Sequence, residues 1–329
     1  MFKKTDDLNY RWLLFAFILG TLILGVKSYA YFLTNSSSLL SDALESIVNV
    51  LAGFIALLAY RFSLRPQDEN HPYGHGKVQF LSSGLEAILI LIAGIALILK
   101  ATYHLYQPQE IQHLPLGLLI CTIMGAMNFL LGYFLIQRGK QTHSLLLEGN
   151  GRHLQADAYT SLALLLGVGI TYFTGWVMID NLCAIVFSFF IIFTGLNLAQ
   201  KSLAGIMDEQ DSALIKNLST QINSKRKFDW IDLHNFRIIK YGQQFHIDCH
   251  LTIPWFYTIE QGHETMEEFH QVIKEILPNT EELFVHMDPC TPRSCPSCLF
   301  KQCPKRQQNF VQQIHWNADN IVRNQKHHL

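Results

Sequence analysis

Charge of either sign is scarce in this chain and nearly balanced: 25 Lys and Arg against 26 Asp and Glu leave a formal net charge of −1 over 329 residues. Without a dense basic patch there is no electrostatic footprint for nucleic acid. A Walker A loop is lacking, and so is a recognisable activated nucleophile, which argues against ATP-driven pumping. No internal repeat or low-complexity tract breaks the chain. Long apolar runs are missing from one part only. Beyond about Gly205 none is long enough to cross a bilayer, and that part carries most of the Asp, Glu, Gln, Asn and Cys. The boundary falls near Asp208.

Before that boundary apolar sequence dominates. Six segments, 10–33, 38–60, 79–101, 115–137, 150–173 and 177–199, have the length of spanning helices. The first follows Met1-Phe2-Lys3-Lys4 but runs past a signal-peptide core and has no convincing small-residue cleavage site, so it is expected to stay as a helix. Lys3, Lys4, Arg61, Arg65, Lys77, Arg138, Lys140 and Lys201 fall in the N-terminal tail, the second and fourth connections and the segment after span six. The opposite connections are poor in Lys and Arg. The positive-inside rule therefore puts both termini in the cytoplasm of a multi-pass protein of the inner membrane.

Past the boundary the periodicity alternates between helical and strand-like. It predicts a helix over 212–224, strands over 231–241 and 244–252, a helix over 262–277 and a strand over 282–287. The expected organisation is a six-helix transmembrane domain over 1–208, a small cytoplasmic α+β domain (αββαβ, ferredoxin-like or metallochaperone-like) over 209–290, and a Cys-rich tail with a polar C-terminus over 291–329. Residues 307–329 are polar enough to be expected partly disordered.

Polar groups at membrane depth are costly, so each needs a reason. Span two carries Glu45 and Asn49 and span five carries His153 and Asp157, each pair four residues apart and so on one helix face. Two such faces turned together offer two carboxylates, an amide oxygen and an imidazole to one divalent cation. Isolated interhelical hydrogen bonds are the alternative, and Asn49 alone fits that role as well. Asp42, one turn before Glu45, reads as a supporting or entrance group.

Four of the seven cysteines, Cys290, Cys295, Cys298 and Cys303, fall within fourteen residues as CxxxxCxxCxxxxC among Pro289, Pro292, Pro296 and Pro304. In a cytoplasmic segment such clustering reads as metal binding before disulfides. A structural zinc knot is expected, with an iron–sulfur cluster and unliganded or redox-active thiols as the alternatives.

Taken together these residues resemble the cation diffusion facilitators, six-helix proton-coupled exporters of divalent metal that work as homodimers. The resemblance covers nearly the whole chain. Its most specific parts are the paired residues of spans two and five, the connection from Ser63 to Lys77 with its Asp68-Glu69-Asn70-His71-Pro72-Tyr73-Gly74-His75 core, and the stretch Val285-His286-Met287-Asp288-Pro289. It implies a transport site of Glu45, Asn49, His153 and Asp157, in which Asn49 stands where the family usually has Asp. It further implies a loop site of Asp68, His71 and His75, whose spacing alone is equally that of a solvated turn. His234, His250, His286 and Asp288 occupy the family's positions for a cytoplasmic two-metal site, with His263 reaching it from a neighbouring position. Lys77 is implied to pair with Asp208 and tie two protomers together.

The function expected on this footing is proton-coupled efflux of a divalent transition-metal cation by alternating access. Zinc is the first expectation, and manganese, ferrous iron and cobalt stay open. Protons compete with metal for His153 and Asp157, which supplies the exchange. The alternative is a metal-sensing membrane scaffold that binds metal through its cytoplasmic domain without transport. Partners are a second copy of the chain, metal ions, protons and lipid. No enzyme chemistry is expected, because no open metal position with a separate general base is evident.

Overall fold

The structure is a computed structural model. It describes residues 4–34, 37–106, 115–174 and 178–329, and within the helices the side chains of 4–6, 30, 31, 33, 34, 37–45, 115–121, 164, 167–169, 171–174, 179 and 180 lie outside the description. The chain divides into two compact units, Met1–Met207 and Asp208–Leu329.

The first unit is a helical transmembrane bundle of α1 (Lys4–Thr34), α2 (Ser37–Ser63), α3 (Val78–Tyr106), α4 (Pro115–Thr142), α5 (Leu145–Thr174) and α6 (Met178–Ile206). Among the described residues, Asp7–Tyr29, Ser46–Ser63, Val78–Tyr106 and Asn181–Ile206 are long and apolar enough to cross a membrane. α4 and α5 have 28 and 30 residues, about 42–45 Å of helix against a hydrocarbon core of about 30 Å. Large apolar side chains such as Phe15, Leu22, Phe54, Val186 and Phe193 face outward, as a lipid solvent permits and water does not.

Inside the bundle small residues let backbones approach. α4 and α5 meet at Gly132 and Gly151, where a Cβ on either glycine would stand 2.6 or 2.7 Å from the other's carbonyl oxygen. The tight α4–α5 turn runs through His143 at φ 55°. α5 begins five residues before the expected span, because its polar first turns are internally satisfied. Glu148 accepts from Arg152 at 2.7 Å and from Lys201 of α6 at 2.7 Å.

The second unit runs α7 (Ser212–Ser224), β1 (Asp232–Tyr241), β2 (Gln244–Ile253), α8 (Ile259–Ile276) and β3 (Thr280–Pro289). Asp211 caps α7 by accepting from the amides of Ala213 and Leu214. A capping box of Thr258 and Gln261 starts α8 at Ile259, three residues before the expected start. The sheet order is β1-β2-β3, antiparallel between β1 and β2 and parallel between β2 and β3, with α8 as the crossover that a parallel pair requires. Ile215, Leu218, Phe236, Ile247, Leu251, Phe269 and Ile273 belong to one core.

Residues 307–329 depart from the disorder expected of them. Trp316 and Ile321 are buried in the same core, the Trp316 amide donates to Asn223 Oδ1 at 3.0 Å, and the Arg226 guanidinium lies 3.9 Å above the Trp316 ring. Two apolar anchors in a polar stretch are too few to give a periodic signal. A short helix, α9 (Ala318–Ile321), then turns the chain back along the domain.

Candidate functional site

In the bundle, α2 and α5 bring together Asn49, His153 and Asp157. Asn49 donates from Nδ2 to Asp157 Oδ2 at 2.6 Å, and its Oδ1 lies 2.9 Å from His153 Nε2. His153 is 6% exposed, so this amide is a bridge between an imidazole and a carboxylate inside the bundle. The close α4–α5 contact at Gly151 lies two residues before His153 on α5. Glu45 and Asp42, the other expected members, lie outside the described side chains.

Glu86 of α3 escaped the sequence reading although it sits in an apolar span. It is 2% exposed, and Asn150 donates to its Oε1 at 3.4 Å. Its only signal is an acid inside the 79–101 segment.

The α2–α3 connection gathers the three expected loop residues. Asp68 Oδ1 accepts from the amides of Asn70 and His71 at 3.0 and 2.7 Å and lies 3.0 Å from His71 Nδ1. His75 Nε2 stands 3.4 Å from Asp68 Oδ2, and the two imidazole rings are 4.3 Å apart. Partial burial opposes charge on Asp68, yet the His71 amide and ring hold its carboxyl below the usual range. His75 is buried against the edge of Phe62. Its Nδ1 has no hydrogen-bond partner among the described residues. One ligand atom from each of Asp68, His71 and His75 falls within 4.8 Å of the others, a separation that suits one cation.

In the second unit the strand register aligns His234, His250 and His286 as direct neighbours across β1, β2 and β3. Asp288, two residues on along β3, stands 3.3 Å from His234 Nε2, 3.1 Å from His250 Nδ1 and 3.9 Å from His286 Nε2. His234, His250 and Asp288 likewise bring one ligand atom each within 4.8 Å of the others.

Asp232, which the sequence reading missed, lies 3.2 Å from His234 Nδ1. A carboxylate behind one ring nitrogen leaves the other facing the cluster, the arrangement that orients metal-binding histidines. Its signal was the two-residue spacing from His234 on a strand. Burial opposes the Asp232 charge, but His234 and the His327 ring and amide drive its carboxyl far down. His327 is raised in turn, first by its hydrogen bond to Asp232, whose Oδ1 is 2.7 Å from Nδ1. Lys326 donates to the Pro289 carbonyl at 2.9 Å and reaches Asp288 Oδ1 at 3.5 Å. The end of the chain thus returns to the histidine row.

His263 is exposed on α8, and no described contact joins it to the row. α8 covers the sheet face of Ile247, Cys249 and Leu251 through Phe269 and Ile273, whereas strand alternation turns His250 to the other face. Lys77 immediately precedes α3, and Asp208, at φ 58°, opens the second unit. Cys290, Cys295, Cys298 and Cys303 line one depression. Burial pushes the Cys290 and Cys298 thiols up.

Comparison with known proteins adds a family and several relatives. The model of the cation efflux transmembrane domain matches residues 13–207, and that of the cation efflux protein cytoplasmic domain matches 215–290. An uncharacterized transporter of Synechocystis sp. is 29% identical over 81% of this chain and 86% of its own length. The cation-efflux pumps FieF of Serratia proteamaculans and Escherichia coli are each 25% identical, over 83% of this chain and 90% of theirs.

Proposed function

The chain belongs to the cation efflux family, the cation diffusion facilitators, and on that premise we propose that it carries a divalent transition-metal cation out of the cytoplasm in exchange for protons. It is a secondary transporter and not an enzyme. The observation that carries this reading is the Asn49 bridge between His153 and Asp157. An imidazole, an amide oxygen and a carboxylate within one coordination sphere, with Glu45 as the fourth member, make a mixed nitrogen and oxygen site. Zinc is the first cation to test, with manganese, ferrous iron and cobalt as alternatives, because imidazole and carboxylate donors serve all four.

Proton coupling follows from the ligands. A carbonyl oxygen only accepts, so the His153 nitrogen facing Asn49 Oδ1 carries a proton. An imidazolium gives up one proton to bind the cation there, whereas a neutral imidazole only moves its N–H to the other ring nitrogen, and protons arriving from the other side displace the cation by charging the ring and Asp157. Rocking of the helices exposes the site to each side in turn. The protein sits in the inner membrane with both termini in the cytoplasm. Two copies pair, with Lys77 and Asp208 as the tie between protomers. The Asp68, His71 and His75 loop collects metal on the cytoplasmic side. The row of His234, His250, His286 and Asp288 binds metal that stabilises the dimer, without His263, which α8 carries on the other side of the sheet.

The test is metal entry into liposomes carrying the full chain, followed with an internal metal-sensitive dye for zinc, manganese, ferrous iron and cobalt. Flux with at least one cation, lost in Asp157→Ala while the variant elutes like the native protein, is the expected result. One feature of the sequence favours a second reading, a metal-sensing scaffold: Asn49 puts a neutral amide where the family usually has a carboxylate. Absence of flux with every cation, while the cytoplasmic row still binds metal, would establish that reading and overturn the first.

A further inference from the structure

The four cysteines of the tail do not enter the transport reading, yet their placement is ordered. The Cys290 amide donates to the Ile253 carbonyl at 2.9 Å, so the first thiol stands on a continuation of the β2–β3 ladder. Cys295 lies inside a 3-10 turn (Pro292–Ser297) and Cys298 caps it, with the Cys298 amide 3.3 Å from the Cys295 carbonyl. A second turn brings back Cys303, whose amide donates to the Phe300 carbonyl at 3.2 Å. The four thiols are free of disulfides and share one depression, walled by Trp255 and Phe300.

A further feature belongs to a thiolate site. Arg306 donates to the carbonyls of Cys295, Cys298 and Phe300 at 2.8, 2.9 and 2.9 Å. One guanidinium therefore holds both turns and places positive charge beside the sulfurs, and Lys305 lines the same depression.

We propose that Cys290, Cys295, Cys298 and Cys303 close on a single zinc ion as a structural tetrathiolate site. Four S–H protons leave to water, four Zn–S bonds form, and no electron moves. The complex carries a charge of about −2, the balance of one Zn²⁺ and four thiolates, which Arg306 and Lys305 offset. Among the described residues no three sulfurs lie mutually within 4.8 Å, whereas Zn–S bonds of about 2.3 Å need sulfurs about 3.8 Å apart. Rotation of cysteine side chains on a backbone already held by Arg306 supplies the closure.

The ion does more than fold its own loop. The Val311 amide donates to the Pro296 carbonyl at 2.8 Å, so the knot also holds the start of the segment that leads through Trp316 to Lys326 and Asp288. The proposal is independent of the transport reading, and neither falls with the other.

The test uses the full chain, purified under reducing conditions and stripped of metal, then titrated with cobalt. The transport, loop and histidine sites contain no thiol, so sulfur-to-cobalt charge-transfer absorption reports this site alone. The expected result is a band that saturates at one cobalt per chain and is abolished by zinc. It is lost in Cys295→Ser/Cys298→Ser, while the weaker bands of the nitrogen and oxygen sites remain to show a folded chain. Cys249→Ser, which removes the buried thiol of β2, leaves it unchanged. Zinc should also suppress alkylation of the four tail thiols in the native chain. Absence of the band with alkylation unaffected by zinc overturns the proposal, as does iron with acid-labile sulfide in protein purified without air.

Discussion

Replacing Asn49 by Asp should change the number of protons that metal displaces. In the native protein the Asn49 amide donates to Asp157 Oδ2 across 2.6 Å, so one charged carboxylate is satisfied by a neutral donor. In Asn49→Asp two carboxylates face each other at that separation. At an effective dielectric of about 20 their repulsion is about 6 kcal/mol, far more than the pair can sustain. The variant therefore holds a proton between the two groups near neutral pH, as close carboxylate pairs do. Binding a divalent cation expels it, adding about one proton per metal to whatever the native chain releases. The assay is calorimetric titration of the full chain at pH 7 in buffers of different ionisation enthalpy, with the cytoplasmic row disabled by His250→Ala in both backgrounds. Equal proton release with and without the Asn49→Asp substitution, in chains that both bind metal, would refute the assignment of Asn49 to the site.

Three further outcomes are expected. Lys326 lies 3.5 Å from Asp288 Oδ1, where a cation bound by the row would compete with it. Lys326→Ala should tighten zinc binding at the row by about tenfold, or about 1.4 kcal/mol, measured by competition with a chromophoric chelator. His327 is raised by Asp232, so its contribution to docking the tail is complete below about pH 6.5 and is lost as pH rises through its folded value. Asp232 is depressed, and its contribution is lost only in strong acid. Hydrogen-exchange protection of 318–329 in metal-free protein, taken relative to the intrinsic base-catalysed rate at each pH, should fall on the alkaline side, and His327→Ala should abolish that fall. Trp316 is 1% exposed beneath Arg226. Trp316→Ala should cost about 3–5 kcal/mol, seen as a lower unfolding midpoint of the second unit and faster proteolysis of residues 307–329.

The parts of this molecule that were legible in the sequence are those with a period or a spacing. Six apolar runs became six helices, and alternation of His234, Ile247, His250 and His286 with their neighbours marked strands whose register then aligned three imidazoles. Asn49, His153 and Asp157 were found because helical spacing puts them on facing stripes. What stayed hidden depends on contacts distant in sequence. α5 starts at Leu145, ahead of the expected span at 150, where Lys201, 53 residues on, meets Glu148 beside Arg152. Glu86 is one acid in an apolar run, and only Asn150, 64 residues away, shows it enclosed. Trp316 and His327 belong to the second unit through Asn223 and Asp232, 93 and 95 residues earlier. His263 fits the expected ligand pattern by position, but α8 carries it on the other side of the sheet from the row.

The most direct measurement is of metal and proton movement together, in liposomes carrying the full chain with a metal dye inside and a pH dye on each side. Coupled exchange predicts that protons leave as the cation enters, with one dependence on cation concentration for both, and that His153→Ala abolishes the two fluxes at once. Cation entry without proton movement, or proton movement that survives in His153→Ala, would contradict it.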